Sequence, residues 1–368
     1  MTTGRTMSDG TWDAFVAANP LATYLQLSAW ASVKAPNGWR GTRLVAATTH
    51  GGLVGGQVLL RRPRLVPWTF GYVPRGPLAT AWSPAAVEAW TAALRTARQR
   101  DEWEARVSHV RIDPEIELDG PLDTDGVLRD ALRRNGWRPA SEVQPQVTRV
   151  IDLAPDEDAL WSALRGKWRQ YVNKARAGGV RVVDVEGDRL PEFHALMTET
   201  AARAGTHIRA LSAYNDIWEA FRPSGSVRLL FARGPGGDLQ AALLLVRAGD
   251  RVVEPYGGMT AAGAASRANY LVKWEAIRSS KAAGAVSYDM WGLVHPGIRQ
   301  FKAGFGGREI RLIGAWDLRL DAVGAALYRM GEAIGGRGSV GRDLEPVGSP
   351  DAAPDADVAT APAPEDDR

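Results

Sequence analysis

Sliding the sequence against itself exposes an internal repeat, and a repeat of this length constrains the architecture before any single motif is read. Arg43-Leu44-Val45 aligns with Arg228-Leu229-Leu230, Gly51-Gly52 with Gly236-Gly237 and Leu60 with Leu245, all 185 residues apart. Tyr72 and Trp90 meet Tyr256 and Trp274 at a separation of 184, and Val107–Ile112 meets Ala285–Met290 at 178. Each copy reads as strand, Gly-Gly turn, strand, strand, loop, amphipathic helix, strand. Paired glycines supply the positive φ that suits a tight hairpin, so the first three strands of each copy are expected to form an antiparallel meander. The helices Ala85–Arg98 and Ala268–Ala282 then carry the chain across to a parallel strand.

A chain of 368 residues with 45% hydrophobic and 24% charged composition can hold two separate cores. It has no cysteine, which excludes disulfides, thiolate nucleophiles and cysteine-held metals. The five histidines are scattered without metal-ligand spacing. Met1–Thr11 is polar, and no stretch approaches the roughly 18–20 apolar residues that cross a bilayer, so a cytoplasmic protein is expected. The longest apolar stretch, Leu239–Val246, has strand length and glycines on either side, and reads as a buried strand. Helices are predicted near 84–101, 125–135, 156–177, 189–204, 212–222 and 267–283, which makes an α/β (α+β) chain. From Gly336 onward eight acids face three arginines, so the net +3 of the chain divides into about −5 for the tail and about +8 for the body. The tail, 336–368, is rich in Ala, Pro, Gly and Asp and is expected to be disordered. A basic body suits polyanionic partners.

The order of elements is that of the GNAT-type acyltransferase core, here in tandem. In that core the loop entering the helix offers N–H groups to a pyrophosphate. The corresponding loops, Pro77–Pro84 and Thr260–Ala268, carry only scattered small residues, which speaks against ordinary acyl-CoA binding.

Seven landmarks in order complete the pattern: Gln26–Trp39 (QLSAWASVKAPNGW), Gly71–Leu78 (GYVPRGPL), His109–Pro114 (HVRIDP), Gln144–Leu153 (QPQVTRVIDL), Lys167–Val180 (KWRQYVNKARAGGV), Tyr288–Gly292 (YDMWG) and Gly297–Gly307 (GIRQFKAGFGG). Over residues of about 20 to 330 the chain resembles the Fem (FemABX) peptidyltransferases, which build peptidoglycan cross-bridges, and most nearly their shorter FemX-like members. The resemblance implies two GNAT-like domains, 1–149 completed by about 317–335, and 150–316. The helical coiled-coil arm of larger members has no counterpart in the sequence. It also implies transfer of an amino acid from aminoacyl-tRNA, a co-substrate in place of any cofactor, to the stem peptide of a lipid- or nucleotide-linked muramyl-pentapeptide precursor. The protein would then work as a monomer, in peripheral contact with the inner membrane face.

Such a transfer passes through a tetrahedral oxyanion and requires anion stabilisation and positioning rather than a protein nucleophile. The chain has no Gly-x-Ser-x-Gly elbow. By resemblance, Phe301 and Lys302 lie where acyl donor and acceptor meet, Lys302 facing the oxyanion or a tRNA phosphate; read alone, Lys302 is a solvated lysine in a Gly-rich loop. Lys34, Trp39, Tyr72 and Arg75 would grip the precursor's diphosphate and sugar, although Trp39 and Tyr72 equally suit a core. In the second copy Arg209 and Tyr256 match precursor-contacting positions and Tyr214, next to a position where the family often has a tyrosine, is taken with them, Tyr256 being expected just after a strand. Glu254 stands where an aromatic residue is common, and Ala213 where a tyrosine is. The basic run Lys167, Arg169, Lys174, Arg176 reads as an exposed helix face or as a tRNA contact. Asp289 reads as a structural carboxylate, and no general base is assigned. Two other functions share these features: an acyl-CoA N-acyltransferase, and a noncatalytic protein that binds precursor or tRNA.

Overall fold

The structure, a computed structural model, describes residues 7–63, 67–103, 105–205, 207–293 and 295–334. The acidic segment 336–368 lies outside them. The first half runs α1 (Asp9–Ala17), α2 (Ser28–Lys34), β1 (Arg40–Ala47), β2 (Leu53–Arg61), β3 (Thr69–Val73), β4 (Leu78–Ala79), α3 (Pro84–Gln99), β5 (Val107–Ile112), α4 (Val127–Arg134) and β6 (Trp137–Ala140). There follow β7 (Val147–Asp152), α5 (Glu157–Ala163), α6 (Gly166–Ala177), β8 (Arg181–Val185), α7 (Leu190–Ala204), α8 (Leu211–Phe221), β9 (Val227–Arg233), β10 (Leu239–Ala248), β11 (Arg251–Met259), α9 (Ala261–Ser266), α10 (Ala268–Ala282), β12 (Ser287–Gly292), α11 (Pro296–Ala303) and β13 (Arg308–Arg311). The chain ends its described part with β14 (Ala315–Arg319) and α12 (Ala322–Ile334).

Two seven-stranded sheets result, in the orders β1-β2-β3-β5-β14-β6, with β4 also on β2, and β13-β7-β12-β11-β10-β9-β8. The meander and the parallel return expected from the repeat are both present: β1-β2-β3 and β9-β10-β11 are antiparallel, and β3 pairs β5, as β11 pairs β12, in parallel. Gly51 and Gly237 hold positive φ in the two hairpin turns. The late strand β14 inserts between β5 and β6, so the end of the chain returns to the first sheet.

Side-chain alternation sorts the apolar residues into three cores. Along β10, Ala242, Leu244 and Val246 face a central core, whereas Ala241, Leu243 and Leu245 face an outer one under α6 and α10. Both faces of β10 are thus covered, which is why its middle, Ala241–Val246, is an unbroken apolar run. The central core, which also takes Phe70 and Tyr72 of β3 and residues of α1, α2, α7 and α8, lies between the sheets. A third core packs α3 and α4 on the far side of the first sheet.

Two sequence expectations need correction. The helix predicted over 156–177 is broken at Leu164 and Arg165, both extended. The break is fixed by tertiary contact: the Arg165 N–H donates to the carbonyl of Gly304, and Gly304 sits so close to the Trp168 ring that a Cβ would lie 2.3 Å from it. The stretch 260–268 is no open loop but contains the helix α9. Thr260 Oγ1 caps it by accepting from the Gly263 N–H at 3.1 Å, and Gly263 is pressed onto the Gln240 backbone.

Candidate functional site

Where β11 and β12 meet, the parallel ladder spans only Arg251–Val253 and Ser287–Asp289. Each strand then carries a bulge. Between the pairs Leu244↔Tyr256 and Val246↔Val253, β11 has two residues, Glu254 and Pro255, opposite one. Proline has no N–H to give a ladder and is tolerated at such a place. The extra residue turns Tyr256 to the same face as Val253 and sends Glu254 to the other. On β12, Met290 and Trp291 oppose a single residue of β7, and Trp291 adopts φ 62°. Its N–H donates to Asp289 Oδ1 at 2.7 Å. Tyr256 lies within β11, not after it as its sequence context suggested.

The first sheet meets this point with the loop after β3. Arg75 there also holds a left-handed conformation, φ 52°, a state rare for residues with a Cβ and one that marks functional loops. Four hydrogen bonds fix the loop. Gln26 Nε2 donates to Pro74 O at 2.7 Å, the Arg75 N–H to Asp113 Oδ1 at 2.6 Å, Arg75 Nη2 to Pro145 O at 2.6 Å, and Tyr72 Oη to Asp113 Oδ2 at 2.8 Å. The Arg75 guanidinium lies 5.2 Å from the centre of the Trp291 ring and 3.4 Å from Glu115. Glu115 in turn pairs with Arg251, which also pairs with Asp289, itself the acceptor of the Thr148 hydroxyl. Two arginines and three carboxylates therefore form one buried network across the sheet junction.

Beside the network stand four tyrosines. The ring of Tyr256 meets Tyr214 edge-on at 5.1 Å, and Tyr24 lies 6.0 Å from Trp291. The hydroxyls of Tyr24 and Tyr256 are buried with no well-formed hydrogen bond, although Tyr256 faces the half-buried guanidinium of Arg209. Burial raises the pKa of Tyr24, Tyr72, Tyr214 and Tyr256, so all four stay neutral hydroxyls. Burial also pushes Asp113 up to about 6, against the lowering effect of Arg75 and the Tyr72 hydrogen bond. For Arg251, burial favours the neutral form but Glu115 and Asp289 outweigh it and raise the pKa.

Of the residues singled out in the sequence, Tyr72, Arg75, Arg209, Tyr214 and Tyr256 are brought to this junction. Lys34 is buried on α2 over the ring of Trp30, which meets Tyr24 edge-on at 5.4 Å. Trp39 lies further along the central core, against Phe70 and under Arg61. Lys302 is not in a Gly-rich loop but in the last turn of α11, fully buried. Its Nζ donates to the carbonyls of Met290 at 2.6 Å and Gly292 at 3.2 Å, one on each side of Trp291. Phe301 faces the outer core, 5.5 Å from Lys273 Nζ. Lys273 pairs there with Glu254, which also accepts from Tyr288 Oη at 2.6 Å, beside a crevice with room for about one water. On α6, Arg169 is spent on the carbonyls of Ser162 and Leu164, while Lys167, Lys174 and Arg176 are exposed. Sequence reading missed Tyr24, Glu115 and Arg251; among these only Glu115, in the stretch that follows HVRIDP, sits next to a landmark.

The sequence profile of the FemAB family matches residues 7–130, 135–235 and 234–332. The chain belongs to the FemAB family. A lipid II:glycine glycyltransferase of Staphylococcus saprophyticus is 28% identical over 233 residues, 62% of this chain and 55% of that protein. The Staphylococcus aureus enzyme of the same name is 27% identical over 226 residues, 60% of this chain and 52% of that one. The chain thus spans about half the length of the curated relatives it matches. The crystal structure of FemX superposes with a TM-score of 0.78 at 21% identity, covering 89% of this chain and 99% of that one, which shows the tandem GNAT-like fold. Among the described residues no helix is long and apolar enough to cross a membrane.

The network makes two measurable demands. Arg251→Ala leaves Glu115 and Asp289 buried without their shared cation and should lower the unfolding free energy by about 3–5 kcal/mol in urea titration; a loss below about 1 kcal/mol would show that the pair does not depend on it. Asp113, with a folded pKa near 6 against an ordinary 3.8, favours folding fully below pH 3.8 and loses that contribution as pH rises through 6. Asp113→Asn, which does not titrate, should therefore gain on wild type between pH 4 and 7 by up to about 3 kcal/mol, and a flat difference would contradict the raised value.

Proposed function

We propose that the chain transfers an amino acid from aminoacyl-tRNA to the side-chain amine of the stem peptide in a lipid- or nucleotide-linked peptidoglycan precursor. The observation that carries this reading is the gathering, in a FemAB-family chain, of Arg75 from the first half and Arg209, Tyr214 and Tyr256 from the second at one junction. The staphylococcal relatives are glycyltransferases acting on lipid II by name, which fits the same class of acceptor.

Each part has a task in that reaction. Arg209, half-buried at the edge of the cluster, suits an anionic group of the precursor. The neutral hydroxyls of Tyr24 and Tyr256 suit its peptide carbonyls. Lys302 is the cation toward which the oxyanion develops, and its clamp on the carbonyls of Met290 and Gly292 means that the charge needs no rearrangement at the moment of reaction. The donor's acyl end would enter where β11 and β12 part, beside Phe301 and Lys273. An acyl-CoA donor fits less well, because α9 fills the stretch where a pyrophosphate loop would stand. The working place would be the cytoplasmic side of the membrane.

Radiolabel transfer from a pool of charged tRNAs to purified precursor tests the reading. Wild type should label the precursor, and Lys302→Ala should reduce the rate at least about tenfold, the scale of losing one oxyanion donor, while its unfolding midpoint is followed separately. No transfer from any charged tRNA to either precursor form, together with tight acyl-CoA binding, would replace the reading with the acyl-CoA one.

A further inference from the structure

Eight large apolar side chains are strongly exposed among the described residues, and three of them share one helix: Val323 (57%), Leu327 (43%) and Met330 (57%) on α12. At about 100° per residue they fall within about 60° of one another. The opposite face holds the helix to the first sheet. Gly324 lies against the Trp68 ring, Ala325 is buried, and the Tyr328 ring stacks on Phe70 at 5.1 Å and meets His109 at 4.4 Å. The inward face therefore accounts for the fold, and nothing in the described residues accounts for the outward one. The other exposed apolar residues, such as Val183 and Val286, stand singly on different elements, as is ordinary for a protein surface.

The surroundings of the ridge are basic. Arg319, at the end of β14, precedes α12 by three residues and is exposed, as is Arg62 at the end of β2. Arg106 lies over Trp68, 4.9 Å from its ring centre, and pairs with Asp321 at 3.0 Å, so the single acid at the foot of α12 is already neutralised. A convex apolar ridge with arginines beside it matches the interface of an anionic bilayer, where apolar side chains enter the acyl boundary and cations meet phosphates. The position is informative too. Phe70, on which Tyr328 stacks, is two residues from Tyr72 on β3, one pleat repeat of about 7 Å, so the ridge and the junction share one face of the first sheet.

We propose that the outward face of α12 docks the protein on an anionic phospholipid bilayer, Val323, Leu327 and Met330 entering the interface and Arg62 and Arg319 meeting the headgroups. The inference deepens the proposed function by choosing the lipid-linked precursor: a bilayer at α12 presents the headgroup of an embedded lipid to the face that carries Tyr72 and Arg75.

The test is co-sedimentation of the full chain with phosphatidylglycerol-containing vesicles and with pure phosphatidylcholine vesicles, at low and high salt, beside label transfer to the soluble nucleotide-linked precursor. The expected result is binding to anionic vesicles that falls with salt. In the exposed double substitution Leu327→Glu/Met330→Glu the vesicle affinity should fall at least about tenfold, with transfer to the soluble precursor unchanged. Arg62→Glu/Arg319→Glu should weaken anionic binding and leave the weak neutral binding as it was. Wild type that stays in the supernatant with anionic vesicles overturns the inference. So does a double variant that binds as wild type does, or one that turns a self-associating chain into a monomer without a change at vesicles, which would make the ridge a contact between copies. Vesicle binding with the expected losses, but no transfer to any precursor, would uphold the docking face and defeat the proposed reaction.

Discussion

The guanidinium of Arg251 stands between Glu115, from the first sheet's side, and Asp289 of β12, and the two halves of the repeat meet through it. Taking these charges out of water is costly, and the cost is offset only while each has its partner. The pairing lies at the same junction that Arg75 crosses to reach Trp291. Glu115 joins the two arginines, and Asp289 joins Arg251 to the backbone of Trp291, so one network positions side chains that are far apart in sequence.

Local irregularity supplies the rest. In a regular strand Glu254 and Tyr256 would share a face; the bulge at Pro255 parts them and gives the tyrosine to the junction and the glutamate to Lys273. A second bulge at Met290 and Trp291 turns the indole inward, and the ammonium of Lys302 holds the carbonyls on either side of it. Lys302 thereby joins strand geometry to electrostatics: a change there alters the positive charge and the support of Trp291 together. The strained backbone at Arg75 and Trp291 persists because hydrogen bonds on both sides over-determine it.

Much of the fold was legible in the sequence because it follows from period and punctuation. The repeat offsets, the glycine-paired hairpins and the apolar run of β10 gave the meanders, the crossover helices and the parallel return. The ends of α5 and α6 were not legible, since their break depends on Gly304 packing on Trp168 more than 130 residues away. The helical state of 296–303 was hidden by the glycines around GIRQFKAGFGG, and with it the burial of Lys302. For the junction, resemblance to the family singled out Tyr72 and Arg75, inside a landmark, and Arg209, Tyr214 and Tyr256, outside the landmarks. It missed Tyr24 and Arg251, whose importance arises from which neighbours the fold brings to them. No local pattern distinguishes Arg251 from the other arginines of the chain.

The central claim is that this junction holds the precursor, and calorimetric titration of wild type and Arg209→Ala with a nucleotide-linked muramyl pentapeptide addresses it directly, without a donor or a membrane. Arg209 touches the cluster from its edge, so its removal should spare the fold. If the junction is the site, the variant binds at least about tenfold more weakly, the scale of one charge-assisted hydrogen bond, with an unchanged unfolding midpoint. Equal affinity in the two proteins would place the precursor elsewhere and leave the buried network as architecture alone.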